Sequence, residues 1–143
     1  MQIQQLSVFI ENKPGRLADI TEVLAGADVD IRAISVADTS DFGILRVIVD
    51  KPKEAVLALR EHGMTVSLTS VLAVGIADET GSFSKVIRVL ANSGVDVEYI
   101  YAFVSRDKGK AYVIIRTDKS ARAVEALTQH GIELLTAEAL ANM

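Results

Sequence analysis

The feature that most constrains this chain is that it repeats itself. Leu6, Val8 and Ile10 return as Leu72, Val74 and Ile76. Gly15 returns as Gly81, Leu24-Ala25 as Leu90-Ala91, Val29-Asp30 as Val95-Asp96, and Ile34 as Ile100, always 66 positions later. Further along the offset is 68: Asp50-Lys51 matches Asp118-Lys119, Val56 matches Val124, Leu59 matches Leu127, and His62-Gly63 matches His130-Gly131. The two extra residues fall between Ser40 and Lys110, where Gly and charged residues mark a loop and an insertion costs little. A fixed period of this kind means two copies of one unit. We expect a first domain over residues 1–70 and a second over 71–143.

Within a copy the hydrophobic period switches. Residues 5–10 alternate as a strand does. Over residues 14–27, Leu17, Ile20, Val23 and Leu24 take the spacing of an amphipathic helix. Residues 31–37 and 44–49 are rich in Ile and Val and flank Asp38-Thr39-Ser40-Asp41, which reads as a hairpin. Residues 52–62 carry Val56, Leu57 and Leu59 and stop at Gly63, a second helix. Residues 64–69 form a last strand. The second copy gives strands near 71–77, 95–104, 111–117 and 132–136, with helices near 81–93 and 119–130. The order is β-α-β-β-α-β, the split βαβ or ferredoxin-like unit. The fold class is therefore α+β, two tandem ferredoxin-like units with antiparallel sheets.

The strands are apolar on both faces. Ile44 and Ile48 flank Arg46 opposite Leu45, Val47 and Val49, and Phe9 lies opposite Leu6, Val8 and Ile10. Tyr99, Tyr101 and Phe103 share one face of a strand whose other face carries Ile100, Ala102 and Val104. A sheet wet on one side alternates more cleanly, so part of the non-helical face should be covered by the other copy or a second chain.

Composition excludes several function classes. There is no cysteine, hence no thiolate nucleophile, disulfide or Cys-based metal site. Two histidines leave little from which to build a metal or acid–base centre, and each precedes a helix-stopping Gly, where His suits the helix dipole. A net charge of −4 argues against nucleic acid and anionic membranes. This charge turns the Tyr99, Tyr101 and Phe103 face into packing surface rather than a base-stacking platform. Arg106, Lys108 and Lys110 read as a solvated loop. No signal peptide or membrane span is recognisable, so we expect a cytoplasmic protein without a cofactor.

The segment Asn12-Lys13-Pro14-Gly15-Arg16-Leu17 follows a strand and opens a helix. Pro14 suits the first helical position, where its missing N–H is no loss. Gly15 allows close approach to the backbone. Unpaired N–H groups and the helix dipole favour an anion there, so a small carboxylate is the first ligand to consider. The plain alternative is a helix start, with Asn12 as a cap.

This segment, set in a β-α-β-β-α-β unit, resembles the ACT domain family, and in particular small stand-alone proteins of two tandem ACT domains. Ala37-Asp38-Thr39-Ser40-Asp41-Phe42-Gly43-Ile44-Leu45-Arg46 and Tyr99-Ile100-Tyr101-Ala102-Phe103-Val104 strengthen the likeness. The resemblance implies a non-catalytic regulatory module binding a free amino acid where two domains meet, working as a homodimer. It implies ligand contacts from Asn12, Lys13, Pro14, Gly15, Arg16 and Leu17, and from Asp30 and Ile31 at the second strand's start.

A zwitterion needs donors for its carboxylate, from the backbone near Gly15, and an acceptor for its ammonium, which Asp30 supplies. The second copy offers Asp78, Gly81, Ser82, Phe83 and Asp96. There Asp78 replaces Asn12 and no proline precedes Gly81, so two carboxylates would repel a ligand carboxylate. We therefore expect an unequal pair. The rival reading is an interaction subunit docking on a metabolic enzyme or transporter, with vestigial ligand sites. No nucleophile–base pair suggests an enzyme.

Overall fold

The computed structural model describes residues 2–39, 41–103 and 108–143. Ser40, Val104 and Arg106, which enter the hairpin, strand-face and loop readings above, lie outside the described residues. The chain divides into two compact units, one of residues Gln4–Thr69 and one of Ser70–Met143 with Met1–Ile3.

The first unit contains β1 (Ile3–Glu11), α1 (Arg16–Gly26), β2 (Ile31–Asp38), β3 (Phe42–Val49), α2 (Pro52–Glu61) and the first residues of β4 (Thr65–Ala77). Its strands run in the order β2-β3-β1-β4. The β1/β3 and β2/β3 ladders are antiparallel, with Val8 opposite Leu45 and Val36 opposite Leu45 from the other side. Leu6, Val8 and Ile10 share a core with Leu45, Val47, Val49, Ile20, Leu24, Val56 and Leu59. The alternation read from β1 and the 3.6-residue period of α1 are thus two views of one apolar layer between sheet and helices.

The second unit contains the rest of β4, α3 (Ser82–Asn92), β5 (Val97–Phe103), β6 (Lys110–Thr117), α4 (Ser120–Gln129), β7 (Glu133–Leu134) and α5 (Ala137–Ala141). Its order is β5-β6-β4-β7, again antiparallel. Leu72, Val74, Val86, Leu90, Val113, Ile115, Ala123 and Leu127 form its core.

Four differences from the sequence reading have physical reasons. The strands expected at 64–69 and 71–77 are one 13-residue strand, β4, because residues 69–71 include no Gly, Pro, Asn or Asp to break it. The strand expected at 132–136 shrinks to two residues. Leu135 N–H still reaches Ala73 O at 2.9 Å, and then Thr136 turns the chain. Thr136 Oγ1 accepts from Ala139 N–H and starts α5, five residues too short to register as a period. Leu17, assigned to the apolar stripe of α1, is 42% exposed, whereas Ile20 and Leu24 are buried.

The non-helical faces are graded. In the first unit Gln5 and Ile48 are fully buried there, while Phe9 and Ile44 remain exposed and the Phe9 ring stacks on Phe42 at 5.0 Å. In the second unit Tyr112 and Ile114 are buried. The Tyr99 and Tyr101 rings stack at 6.5 Å and Phe103 stacks on Tyr112 at 5.3 Å. Each second-unit ring of this face thus has an aromatic neighbour, an arrangement of packed side chains.

Candidate functional site

The turn between β1 and α1 is built from the chain outward. After Glu11 the backbone N–H of Asn12 donates to Asp41 O at 3.0 Å and ties the turn to the β2–β3 hairpin. Arg16 N–H then donates to Lys13 O at 3.3 Å across Pro14 and Gly15. Gly15 has φ 88° and ψ −13°. Proline at the second position and a left-handed glycine at the third define a type II turn. Pro14 is therefore not the first helical residue, as the sequence suggested. A helix cannot pass through a residue at φ 88°, so α1 begins after Gly15 and Pro14 presets the turn instead.

Asn12 is not a cap either. Its side-chain Nδ2 donates to Thr39 O at 2.6 Å, to Phe42 O at 3.3 Å and to an oxygen of the Asp38 carboxylate. The N-cap of α1 is Gly15, which has no side chain to offer. The N–H groups of Leu17 and Ala18 accordingly have no acceptor among the described residues, while Asp19 N–H donates to Gly15 O. Two backbone donors with the positive end of a helix dipole form a receptor for one carboxylate.

The charges around the turn are paired. Lys13 Nζ lies 2.9 Å from the Glu11 carboxylate and Arg16 lies 3.5 Å from Asp19. The hydrogen bond and charge of Lys13, and to a smaller degree the charge of Arg16, hold the Glu11 carboxyl below the usual carboxylate range.

Asp30 and Ile31 are elsewhere. Asp30 precedes β2, and Asp38, which meets Asn12, ends it. At a rise of about 3.3 Å per residue the two ends stand roughly 25 Å apart. Within the first unit the structure thus gathers Asn12, Lys13, Pro14, Gly15, Arg16 and Leu17, and places Asp30 and Ile31 at the far edge of the sheet. Asp30 itself is engaged: its N–H donates to the Asp50 carboxylate at 2.9 Å and its carboxylate pairs with Arg32.

The second repeat copies this geometry without the proline. Asp78 N–H donates to Gly109 O at 2.9 Å, Ser82 N–H donates to Glu79 O at 3.2 Å, and Gly81 has φ 91°. Phe83 and Ser84 N–H groups have no acceptor among the described residues. Asp96 N–H donates to Asp118 at 3.0 Å, the counterpart of Asp30 and Asp50. The side chain at 78 is a carboxylate and cannot donate, so the three-acceptor contact of Asn12 has no equivalent there.

His62 and His130 turn their Nδ1 atoms to Ala58 O and Ala126 O, each at 2.8 Å. A carbonyl can only accept, so each ring donates and caps its own helix. Among the described residues no group of three or more metal-ligating side chains is gathered, and no helix is long and apolar enough to cross a membrane.

Some residues of the site lie where the two repeats differ. Asp38, the acceptor for Asn12, is one. A second group lines a cleft in the second unit: Gly75, Glu79, Ser82, Lys85, Lys110 and Glu133. Gly75 stands where the first copy has Phe9, and Lys110 where it has Phe42.

The family model described as an ACT domain pair matches residues 1–143. A crystal structure of a Bacteroides thetaiotaomicron protein is 37% identical, with a TM-score of 0.94, and the match covers 100% of this chain and 98% of that one. The regulatory subunit of aspartate kinase from Thermus thermophilus, in ligand-free form, shares the fold at 19% identity and a TM-score of 0.64, covering 88% of this chain and 91% of that one. The regulatory subunit of aspartate kinase from Thermus flavus does so at 20% and 0.60, covering 88% and 90%. No curated protein matches the chain.

Proposed function

The chain belongs to the ACT domain pair family, and from that premise we propose that it is a non-catalytic regulatory protein of the cytoplasm whose two ACT domains, residues 1–70 and 71–143, sense a free amino acid. The observation that carries the reading is the turn at residues 12–17. It offers two unpaired backbone donors at a helix start, on a turn tied to the hairpin by Asn12 and preset by Pro14. The ligand carboxylate is received by Leu17 and Ala18 N–H, with Arg16 beside it. The ammonium needs an acceptor, and Asp30 is too distant within one unit to be that acceptor. We therefore assign the Asp30 and Ile31 contact to a second copy of the chain in a homodimer, so that binding favours the closed dimer. The second turn, with Asp78, Gly81, Ser82, Phe83 and Asp96, presents an added carboxylate and holds this ligand more weakly.

Thermal-shift measurement against each free amino acid tests the reading. We expect at least one to stabilise the protein and Asn12→Ala to lose that response. Stabilisation by none, with Asn12→Ala behaving as wild type, would sink it.

One observation favours a second reading, an interaction subunit that docks on a metabolic enzyme. Phe9, Phe42 and Ile44 form an exposed apolar cluster on the first unit. A purified chain that stays a ligand-indifferent homodimer and binds no hydrophobic dye would count against it.

A further inference from the structure

The helix layers of the two units differ in charge. In the first unit a groove runs between α1 and α2, with a volume of about 840 Å³. Val23, Ala58 and Met64, all half-buried, line it together with the charged residues Arg16, Asp19, Glu22 and Glu61. Arg16 is paired with Asp19 at 3.5 Å. Glu22 and Glu61 are exposed and form no ion pair among the described residues. The groove thus has apolar walls and an acidic rim.

The repeat supplies the same positions in the second unit. The apolar ones stay apolar, since Val23, Ala58 and Met64 become Val89, Ala126 and Ile132. Every charged one changes. Asp19 becomes Lys85, Glu22 becomes Arg88, Glu61 becomes Gln129 and Arg16 becomes Ser82. One cation and three carboxylates give way to two cations and no carboxylate. Lys85 and Arg88 are exposed and form no ion pair among the described residues. The contrast holds over the whole helices: α1 and α2 carry three cations and four carboxylates, α3 and α4 three cations and one carboxylate. One chain thus carries two faces of like build and unlike charge.

We propose that these two faces dock on each other between copies of the chain, the α1/α2 face of one copy on the α3/α4 face of the next. Glu22 and Glu61 of one copy then meet Lys85 and Arg88 of the other, so that side chains unpaired in one chain gain partners in two. Unlike charge steers this encounter and penalises the like pairings, first unit on first and second on second. The occupant is a second copy because the chain itself carries the complementary face. Single rim pairs are weak and screened by salt, so the contact is reversible and depends on ionic strength. It goes beyond the dimer that brings Asp30 of one copy to the turn of another, and it uses neither Asn12 nor Asp30.

Sedimentation of the full chain tests the contact. The double variant Glu22→Lys/Glu61→Lys makes both helix faces basic, and Lys85→Glu/Arg88→Glu makes both acidic. All four side chains are exposed, and the Tm of each variant checks that the fold is kept. At about 0.01 M salt, where charges reach about 30 Å, we expect the wild type to self-associate roughly tenfold more tightly than either variant. That excess should vanish at about 1 M salt, where the reach falls to about 3 Å. An equimolar mixture of the two variants should recover association to within roughly threefold of wild type, which misfolded chains could not do. The dimer assigned to the ligand site is common to all three chains and cancels in the comparison. Equal masses for the wild type and both variants at low salt would overturn the contact, as would a mixture no heavier than its components. If a helical lysine-rich peptide then binds the wild type but not Glu22→Lys/Glu61→Lys, the acidic face belongs to a basic partner and not to a second copy.

Discussion

Asn12 spends its side chain on the protein. Its amide meets the Asp38 carboxylate and two hairpin carbonyls, acceptors that an N–H₂ group can serve and a carboxylate cannot. Asn12→Ala removes these three bonds at an exposed site, and at about 0.5 kcal/mol each, the low end of the net range, we expect a loss of about 1–2 kcal/mol in urea unfolding with an unchanged slope. Asn12→Asp should cost more, because it sets a carboxylate against Asp38, and it reproduces what the second repeat carries at Asp78. Glu11 tests the electrostatics. Its folded pKa is depressed by Lys13 first and Arg16 second, so its contribution is present above the unfolded carboxyl pKa of about 4.3 and is lost as pH falls through the lower folded value. NMR titration should show Lys13→Ala returning the Glu11 carboxyl toward its ordinary range.

At the scale of the element, the two β-α turns form a controlled comparison. Both place a glycine near φ 90° at the third position, but only the first has proline at the second. Thr80→Pro should therefore stabilise the second turn by about 0.4–1 kcal/mol through the unfolded chain, read as a raised Tm. Gly81→Ala should cost about 1–2 kcal/mol, because an alanine is strained at positive φ. Most elements were legible in the sequence because α1 to α4 and the longer strands each bury one periodic face, and periodicity reports burial. Ile20 and Leu24 follow that rule, while Leu17, at the helix's exposed first turn, does not. The role of Asn12 was not legible, because a side chain that bridges 26 residues to Asp38 leaves no local pattern. Pro14 misled for a related reason: Pro-Gly serves a turn and a helix start equally well until φ of Gly15 is known. Glu79 and Lys85 stand where the first copy has Lys13 and Asp19, mismatches in a repeat that is recognised by its matches.

For the whole molecule, the distance between Asn12 and Asp30 becomes a prediction about assembly. If each ligand is held by the turn that Asn12 braces in one copy and by Asp30 of another, a heterodimer of Asn12→Ala and Asp30→Ala chains carries both defects in one site and none in the other. Calorimetry on such purified heterodimers should give one site per dimer with wild-type affinity, whereas each variant homodimer should give none. A single-chain site predicts no recovery. Saturating the wild type at a hundred times Kd should add about 2.7 kcal/mol of stability by mass action.

Strand β4 has a practical consequence. The boundary between the units, after Thr69, falls inside an unbroken strand whose next five residues, Val71 to Gly75, are buried. Proteases cut exposed loops and not the middle of a paired strand, so limited digestion should nick this protein at its hairpins and leave residues 65–77 whole. A gene fragment ended at residue 70 would encode a truncated strand with raw edges on either side of the cut. Half-length pieces of this chain are therefore expected to aggregate where the intact chain does not.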